Sequence, residues 1–364
     1  MKLYLKKYVP FLLILFLNIG FEDYIPDSSA ATEIKKYDWY NTAHHTKTGI
    51  FINPGEQQDQ QPHKHSFFRS FSWVFKHMVA STPKVDVPFQ NINPTELTQP
   101  VTGSVRVFWL GHSSCLIQTK NQNILLDPMF SKRASPVSFA GPKRLVNLPI
   151  KLKDLPKIDV VVISHNHYDH LDKQTIIDLN RLYKPMFIVP LEIQKLLKSW
   201  KISNIIELDW WEYVDINSIR YNCTPAKHFS SRSTGDRNKT LWAGWYIHDM
   251  KTNYKIFFVG DSAYGPVFSQ IKEKLGAPNL EIAPIGAYEP QWFMSKVHIN
   301  PEQAIQSYID LSANKMLAVH WGTFILSQES VLAPPETLKK LIRDKNLDSQ
   351  KILVLPVGGI ITDY

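Results

Sequence analysis

Residues 164–172 read SHNHYDHLD, directly after the apolar run DVVVIS at 159–164. His165, His167, Asp169 and His170 thus share one strand-to-helix loop, with a helical pattern beginning near Lys173. The carboxyl end of a strand is where α/β folds build their sites. Side chains of extended chain alternate with period two, so the imidazoles of His165 and His167 leave on the same side. Asp169 and His170, past the turn, are placed to face a second centre. A lone His pair reads as a surface accident, whereas four ligand types between residues 165 and 170 point to metal.

A zinc site takes three or four protein ligands, so one loop cannot complete two of them. The other strand ends must contribute. His228 follows the strand-like YNCTPA, Asp261 ends KIFFVGD, and His320 follows MLAV. Each also has an ordinary reading, Asp261 as a helix cap and His320 as a core histidine, but their common position favours ligation. Gly260 lets the backbone approach closely beside Asp261. A mixture of imidazoles and carboxylates suits zinc, and iron or manganese take the same ligand types.

The chain has 364 residues, 44% of them hydrophobic, including 10 Trp, 15 Tyr and 19 Phe, which is ample for a packed core. Two cysteines, Cys115 and Cys223, are too few for a disulfide framework or a Cys-rich zinc site. Both sit in apolar segments and read as buried thiols, a single disulfide staying open in an oxidising compartment. The 41 Lys and Arg against 33 Asp and Glu leave a net charge of +8, which favours anionic partners. Lys2, Lys6 and Lys7 precede the apolar run at 9–21, the pattern of a signal peptide or a short anchor over residues 1–31. The expected location is exported or membrane-associated, in a bacterial periplasm or at its inner membrane.

Residues 32–100 read as an N-terminal arm. Within it SFFRSFSWVFKHMVA at 66–80 is a greasy short helix, for the domain's own core or for lipid, and 81–100 is a linker. From 101 to 364 short apolar runs alternate with helical patterns, at 173–183, 191–199, 265–275, 301–312 and 335–343. That alternation predicts a layered α/β body. The runs at 105–110, 114–119, 123–128, 159–164, 187–190, 255–261, 316–321 and 352–357 are its buried strands.

The pattern H-x-H-x-D-H, then a distant His, an Asp after a strand and a last His, resembles the metallo-β-lactamase superfamily. TKTGIFINP (46–54), WLGHSS (109–114), LLDPMFSKRASP (125–136), GPKR (141–144), NIIELDWWE (204–212), PIGAYEP (284–290), QWFM (291–294) and HWGTF (320–324) are similar to one branch of it. That branch is the N-acyl-phosphatidylethanolamine-hydrolysing phospholipase D enzymes. The resemblance implies a four-layer αββα fold and two zinc ions per chain. His165, His167 and His228 would hold one ion, Asp169, His170 and His320 the other, and Asp261 would bridge them. It further implies that hydroxide held between the ions attacks the phosphodiester, giving an N-acylethanolamine and phosphatidic acid.

Other residues have double readings. Asp127 ends NILLD and suits a carboxylate orienting a ligand histidine. His112 does likewise or simply shapes its turn. His298 contacts the substrate phosphate or protonates the leaving alkoxide, or does nothing chemical. Tyr288, Trp292, Phe293 and Met294 line a lipid pocket or belong to the core. The histidines at 44, 45, 63, 65, 77 and 248 read as surface residues. The expected partners are a phospholipid substrate and a membrane surface, with a homodimer compatible and nucleic acid not expected. A lactonase, a β-lactam hydrolase or a nuclease keeps the same two-metal site, and a non-catalytic zinc-binding membrane scaffold is the reading of another class.

Overall fold

The computed structural model describes residues 31–35, 43–56 and 84–363. The run at 9–21, the segment 66–80 and His63, His65 and His77 lie outside the described residues. No helix among the described residues is long and apolar enough to cross a membrane.

In chain order the strands are β1 (Ala31–Lys35), β2 (Val105–Gly111), β3 (Ser114–Gln118), β4 (Asn123–Leu126), β5 (Val160–Val162), β6 (Met186–Pro190), β7 (Ile205–Leu208) and β8 (Tyr213–Ile216). They continue as β9 (Ile219–Thr224), β10 (Gly244–Asp249), β11 (Tyr254–Phe258), β12 (Leu280–Pro284), β13 (Lys315–Val319), β14 (Ile352–Leu353) and β15 (Ile360–Asp363). The helices are α1 (Pro94–Leu97), α2 (Lys173–Tyr183), α3 (Ile193–Ser199), α4 (Val267–Leu275), α5 (Gln291–Met294), α6 (Pro301–Leu311) and α7 (Ala333–Asp344).

Two sheets result, one ordered β15-β2-β3-β4-β5-β6-β7 and the other β1-β8-β9-β10-β11-β12-β13-β14. In each, an antiparallel half continues into a parallel half: β4 to β7 run parallel in the first, β11 to β14 in the second. Parallel neighbours need crossovers, which α2 and α3 supply on one side and α4, α6 and α7 on the other.

Period-two alternation decides what each sheet faces. Val107 and Trp109 of β2, Ile117 of β3 and Leu126 of β4 share a core with Cys223, Trp245, Ile256 and Phe258 of the second sheet. The intervening Phe108, Leu110, Leu116, Leu125 and Val161 pack instead on Ile176 and Leu179 of α2 and Ile193 and Leu197 of α3. Phe268, Ile271, Ile305 and Leu338 bring α4, α6 and α7 onto the second sheet. The layers run helix, sheet, sheet, helix. Between the sheets, Trp245 Nε1 donates to the Ile163 carbonyl (2.9 Å) and the Tyr221 hydroxyl to Gln122 Oε1 (2.6 Å), so the polar tips buried there are partnered.

The body reaches further toward the N-terminus than a start at residue 101. Val87, Ile92 and Leu97, within the stretch read as a linker, are buried, and Gln90 N and Ile92 N donate to the carbonyls of Val357 and Pro149. Phe51 and Asn53 of the arm are buried too, and β1 pairs with β8. Cys115 and Cys223 are free, buried thiols.

Strand β12 has no uniform apolar run because Glu281 interrupts it. That side chain is fully buried; one oxygen accepts from Ser307 Oγ (2.7 Å) and the other has no partner. Burial, outweighing the Ser307 hydrogen bond, pushes the carboxyl from 4.5 up to about 8. Between these values the folded chain keeps a proton that the unfolded chain releases. Stability therefore falls as pH rises through that window, by on the order of 5 kcal/mol at its top. Glu281→Gln, which still accepts from Ser307, is expected to flatten the decline in urea-unfolding free energy between pH 5 and pH 8. A wild-type slope in the variant would show that this carboxyl ionises normally.

Candidate metal centre

The loop after β5 sends His165, His167, Asp169 and His170 into the space where β9, β11 and β13 also end. His165 Nε2 lies 2.8 Å from His167 Nδ1, and His228 Nε2 lies 3.3 Å from the same atom. These three nitrogens form one ligand group; His170, His320 and Asp169, with His112, form a second whose ligand atoms lie within 4.8 Å of one another. Asp261 stands between the groups. Its Oδ2 is 3.1 Å from His170 Nε2, 3.8 Å from His228 Nε2 and 3.9 Å from His165 Nε2, while its Oδ1 is 3.3 Å from His320 Nε2.

Hydrogen bonds on the far side of the rings determine which nitrogen faces inward. Asp127, fully buried at the end of β4, accepts from Ser164 N (2.7 Å) and Ser164 Oγ and engages His170 Nδ1 at 2.7 Å. With the Ser164 hydroxyl donating to Asp127, His165 Nδ1 donates to Ser164 Oγ (2.9 Å). His228 Nδ1 donates to the Val297 carbonyl at 2.8 Å. His165 and His228 are thereby held with the Nε2 lone pair turned into the cluster, the tautomer a metal ligand needs, and His170 with its Nε2 turned toward Asp261. His112 Nε2 bonds Asp169 Oδ2 at 2.8 Å, and its ring lies against that of His320 at 4.1 Å.

Buried polar atoms normally find partners. Here His170 Nε2, His298 Nδ1, both nitrogens of His320 and Asp261 Oδ1 are buried without a hydrogen bond, and all four residues belong to candidate metal-holding groups, His298 in one with His228 and Asp261. Converging, unsatisfied donors of this kind fit divalent cations. The electrostatics agree. Burial is the largest influence on His112 and His228, both drawn down to about 3, and on His167, drawn to about 4, so these rings are neutral. Burial also depresses His170, but Asp261, Asp169 and the Asp127 hydrogen bond outweigh it and hold that ring well above its usual value. The pocket therefore attracts positive charge. Asp169 and Asp261, against burial, are held far below the usual carboxylate range by His170 and its neighbours.

The backbone is strained where it delivers these groups. His112 (φ 53°), Asp127 (φ 37°) and His320 (φ 64°) all lie in the left-handed region that side chains avoid. Gly260 (φ 63°) is needed for space as well, since a Cβ there would meet Ser164 Cβ at 2.8 Å, so the turn into Asp261 can lie against the His165 loop.

His298 is brought to the cluster, its Nδ1 3.8 Å from Asp261 Oδ2. Tyr288 is placed elsewhere: its hydroxyl bonds Thr337 on α7 and its backbone N–H faces Glu329. Trp292 is 58% exposed while Met294 is buried, so the two face different surroundings. His44 and His45 are not free surface residues as expected. Their Nε2 atoms bond the two oxygens of Asp209, at 2.7 and 2.8 Å, and the His44 ring stacks on Trp210. His248, half-buried on β10, bonds Asn253 at 2.8 Å. Asn53 had no ligand-type signal in the sequence. Its Oδ1 accepts from His228 N (2.8 Å) and from Trp242 Nε1 (3.1 Å), tying the arm to the backbone of His228.

Beside His320 opens a shallow recess whose wall is part apolar, from Trp321, Phe324 and Leu326, and part polar, from Ser327, Glu329 and Ser330.

Residues 122–321 match the model of the beta-lactamase superfamily domain. The chain is 38% identical over 265 residues to N-acyl-phosphatidylethanolamine-hydrolyzing phospholipase D 1 of Caenorhabditis elegans, covering 69% of this chain and 74% of that protein. It is 37% identical over 264 residues to an uncharacterized protein of Mycobacterium tuberculosis, covering 71% and 69%. A possible metal-dependent hydrolase from Veillonella parvula has a similar fold, with a TM-score of 0.58 at 20% identity over 71% of this chain and 98% of that one.

Proposed function

The chain belongs to the metallo-β-lactamase superfamily, in the branch of the N-acyl-phosphatidylethanolamine-hydrolysing phospholipases D, and on that premise we propose that it cleaves an N-acyl phosphatidylethanolamine into an N-acylethanolamine and phosphatidic acid, using two zinc ions. The observation that carries the reading is the Asp261 carboxylate, set between His165 and His228 on one side and His170 and His320 on the other. His165, His167 and His228 would hold one ion and Asp169, His170 and His320 the other, with Asp261 shared. Two such ions supply Lewis acidity at the phosphoryl group and acidify bound water to near neutrality.

The chain's own residues do the rest. Asp127, Ser164 and Val297 fix ring orientation, and His112 fixes Asp169. His298, with an unpartnered Nδ1 facing Asp261, is placed to contact a phosphate oxygen or the departing alkoxide. A phospholipid surface is the proposed partner, consistent with the net charge of +8, and the apolar run at 9–21 supports an exported or membrane-associated location.

Product analysis tests the reading. The chain is incubated with a mixed panel of phospholipids, a lactone and a β-lactam, with and without chelator, and the products are read by mass spectrometry. N-acylethanolamine and phosphatidic acid are expected, and only without chelator. Chelator-sensitive opening of the lactone or lactam with the lipids untouched would move the chain to another substrate class.

A further inference from the structure

From Pro128 to Lys153 the chain carries lysine or arginine at 132, 133, 143, 144, 151 and 153 and no acidic residue. Within that stretch lies a small hairpin that the metal centre does not use. Arg133 and Lys143 pair antiparallel, Ala134 N donates to the Pro142 carbonyl (3.0 Å) and Arg144 N to the Lys132 carbonyl (2.8 Å). Gly141 (φ 93°) closes it, because a Cβ there would meet Ser135 at 2.7 Å.

The tip is the unusual part. Residues 136–139 are all exposed, and they include Val137 at 38% and Phe139 at 80% exposure. Lys132 and Lys143, also exposed, flank it. An aromatic projecting into water between cations is costly in solution and favourable where an anionic, partly apolar phase meets water.

The hairpin's base belongs to the wall of the site. Ala134 packs with Met129, Phe324 and Leu326, and Leu145 N donates to the Thr323 carbonyl (2.8 Å). Phe324 and Leu326 line the recess together with His320, and Phe324 stands edge-on to His112 at 5.4 Å.

We propose that the 132–144 hairpin docks the enzyme on an anionic phospholipid bilayer, with Phe139 and Val137 entering the headgroup–acyl boundary and Lys132 and Lys143 on lipid phosphates. Docking there brings the recess and the metal centre beside it to the lipid surface. The proposal rests on the reading of the substrate as a membrane phospholipid, and its test separates the two.

In the full chain, Phe139→Cys is labelled with an environment-sensitive fluorophore; Cys115 and Cys223, at 0% exposure, are not reached. Lys251→Cys, exposed on the turn between β10 and β11 at the strand ends remote from the metal centre, is the control. On vesicles of phosphatidylcholine with about one-third phosphatidylglycerol, the label at 139 is expected to shift to the blue and to be quenched by brominated lipid, and the label at 251 is not. A label at 139 that stays aqueous on vesicles with which the chain co-sediments would overturn the proposal.

Kinetics give a second arm. Phe139→Ser with Val137→Ser is expected to raise KM for vesicle-borne phospholipid about tenfold, with kcat and turnover of a soluble short-chain phosphodiester unchanged. Lys132→Gln with Lys143→Gln should weaken vesicle binding by about 30-fold, the effect expected for two lysines near an anionic surface. An unchanged vesicle KM in the first pair contradicts docking by this hairpin. Insertion without cleavage of N-acyl phosphatidylethanolamine would remove the substrate reading and leave the hairpin; cleavage with an aqueous label would do the reverse.

Discussion

Asp261→Asn is expected to abolish hydrolysis and leave the fold standing. The side chain is 3% exposed; its Oδ2 faces His165 and His228 of one group and His170 of the other, and its Oδ1 faces His320. An amide of the same shape keeps the packing but removes the one negative charge shared by the two groups. A loss of at least about a thousandfold in kcat/KM is expected, or roughly 4 kcal/mol of transition-state stabilisation. Circular dichroism and the urea midpoint report the fold separately from the kinetics. Near-normal turnover in a folded variant would remove Asp261 from between the metals.

Asp127→Ala is expected to damage both stability and metal affinity. It leaves Ser164 N, the Ser164 hydroxyl and His170 Nδ1 without their acceptor inside the protein. Stranding buried donors in this way costs about 3–5 kcal/mol. His170 and His165 also lose the support that sets their tautomers, which lowers metal affinity by about 10- to 100-fold. Urea unfolding of the chelated protein reads the first effect, and metal titration with a chelating indicator reads the second. An unaltered metal affinity in the variant would mean that the ring orientations are set elsewhere.

The loop at 164–172 was legible because four ligand types crowd one strand end, and His228, Asp261 and His320 because each closes an apolar run. Those are patterns that sequence spacing records. Asn53 acts through a backbone N–H at a separation of 175 residues, and Val297 through its carbonyl, so neither residue type announces its role. His44 and His45 looked like surface histidines because their partner, Asp209, is about 165 positions away. Helix α2 was readable to the residue, since its apolar positions repeat at helical spacing and Lys184 ends it in a left-handed conformation. Strands β8, β9 and β10 blur because charged residues enter them: Asp215 pairs with Arg220 across β8 and β9, and His248 and Asp249 end β10. Asp127 reads by type as a carboxylate that orients a histidine, and the geometry shows it bonded to His170 Nδ1.

The most direct test is the metal content of the full chain purified without chelator, measured by elemental analysis against protein concentration. Roughly two zinc ions per chain are expected, the number a shared carboxylate between two ligand groups calls for, and Asp261→Asn should hold fewer. A wild-type chain that is folded, metal-free and still hydrolytic would contradict the two-metal account at its root.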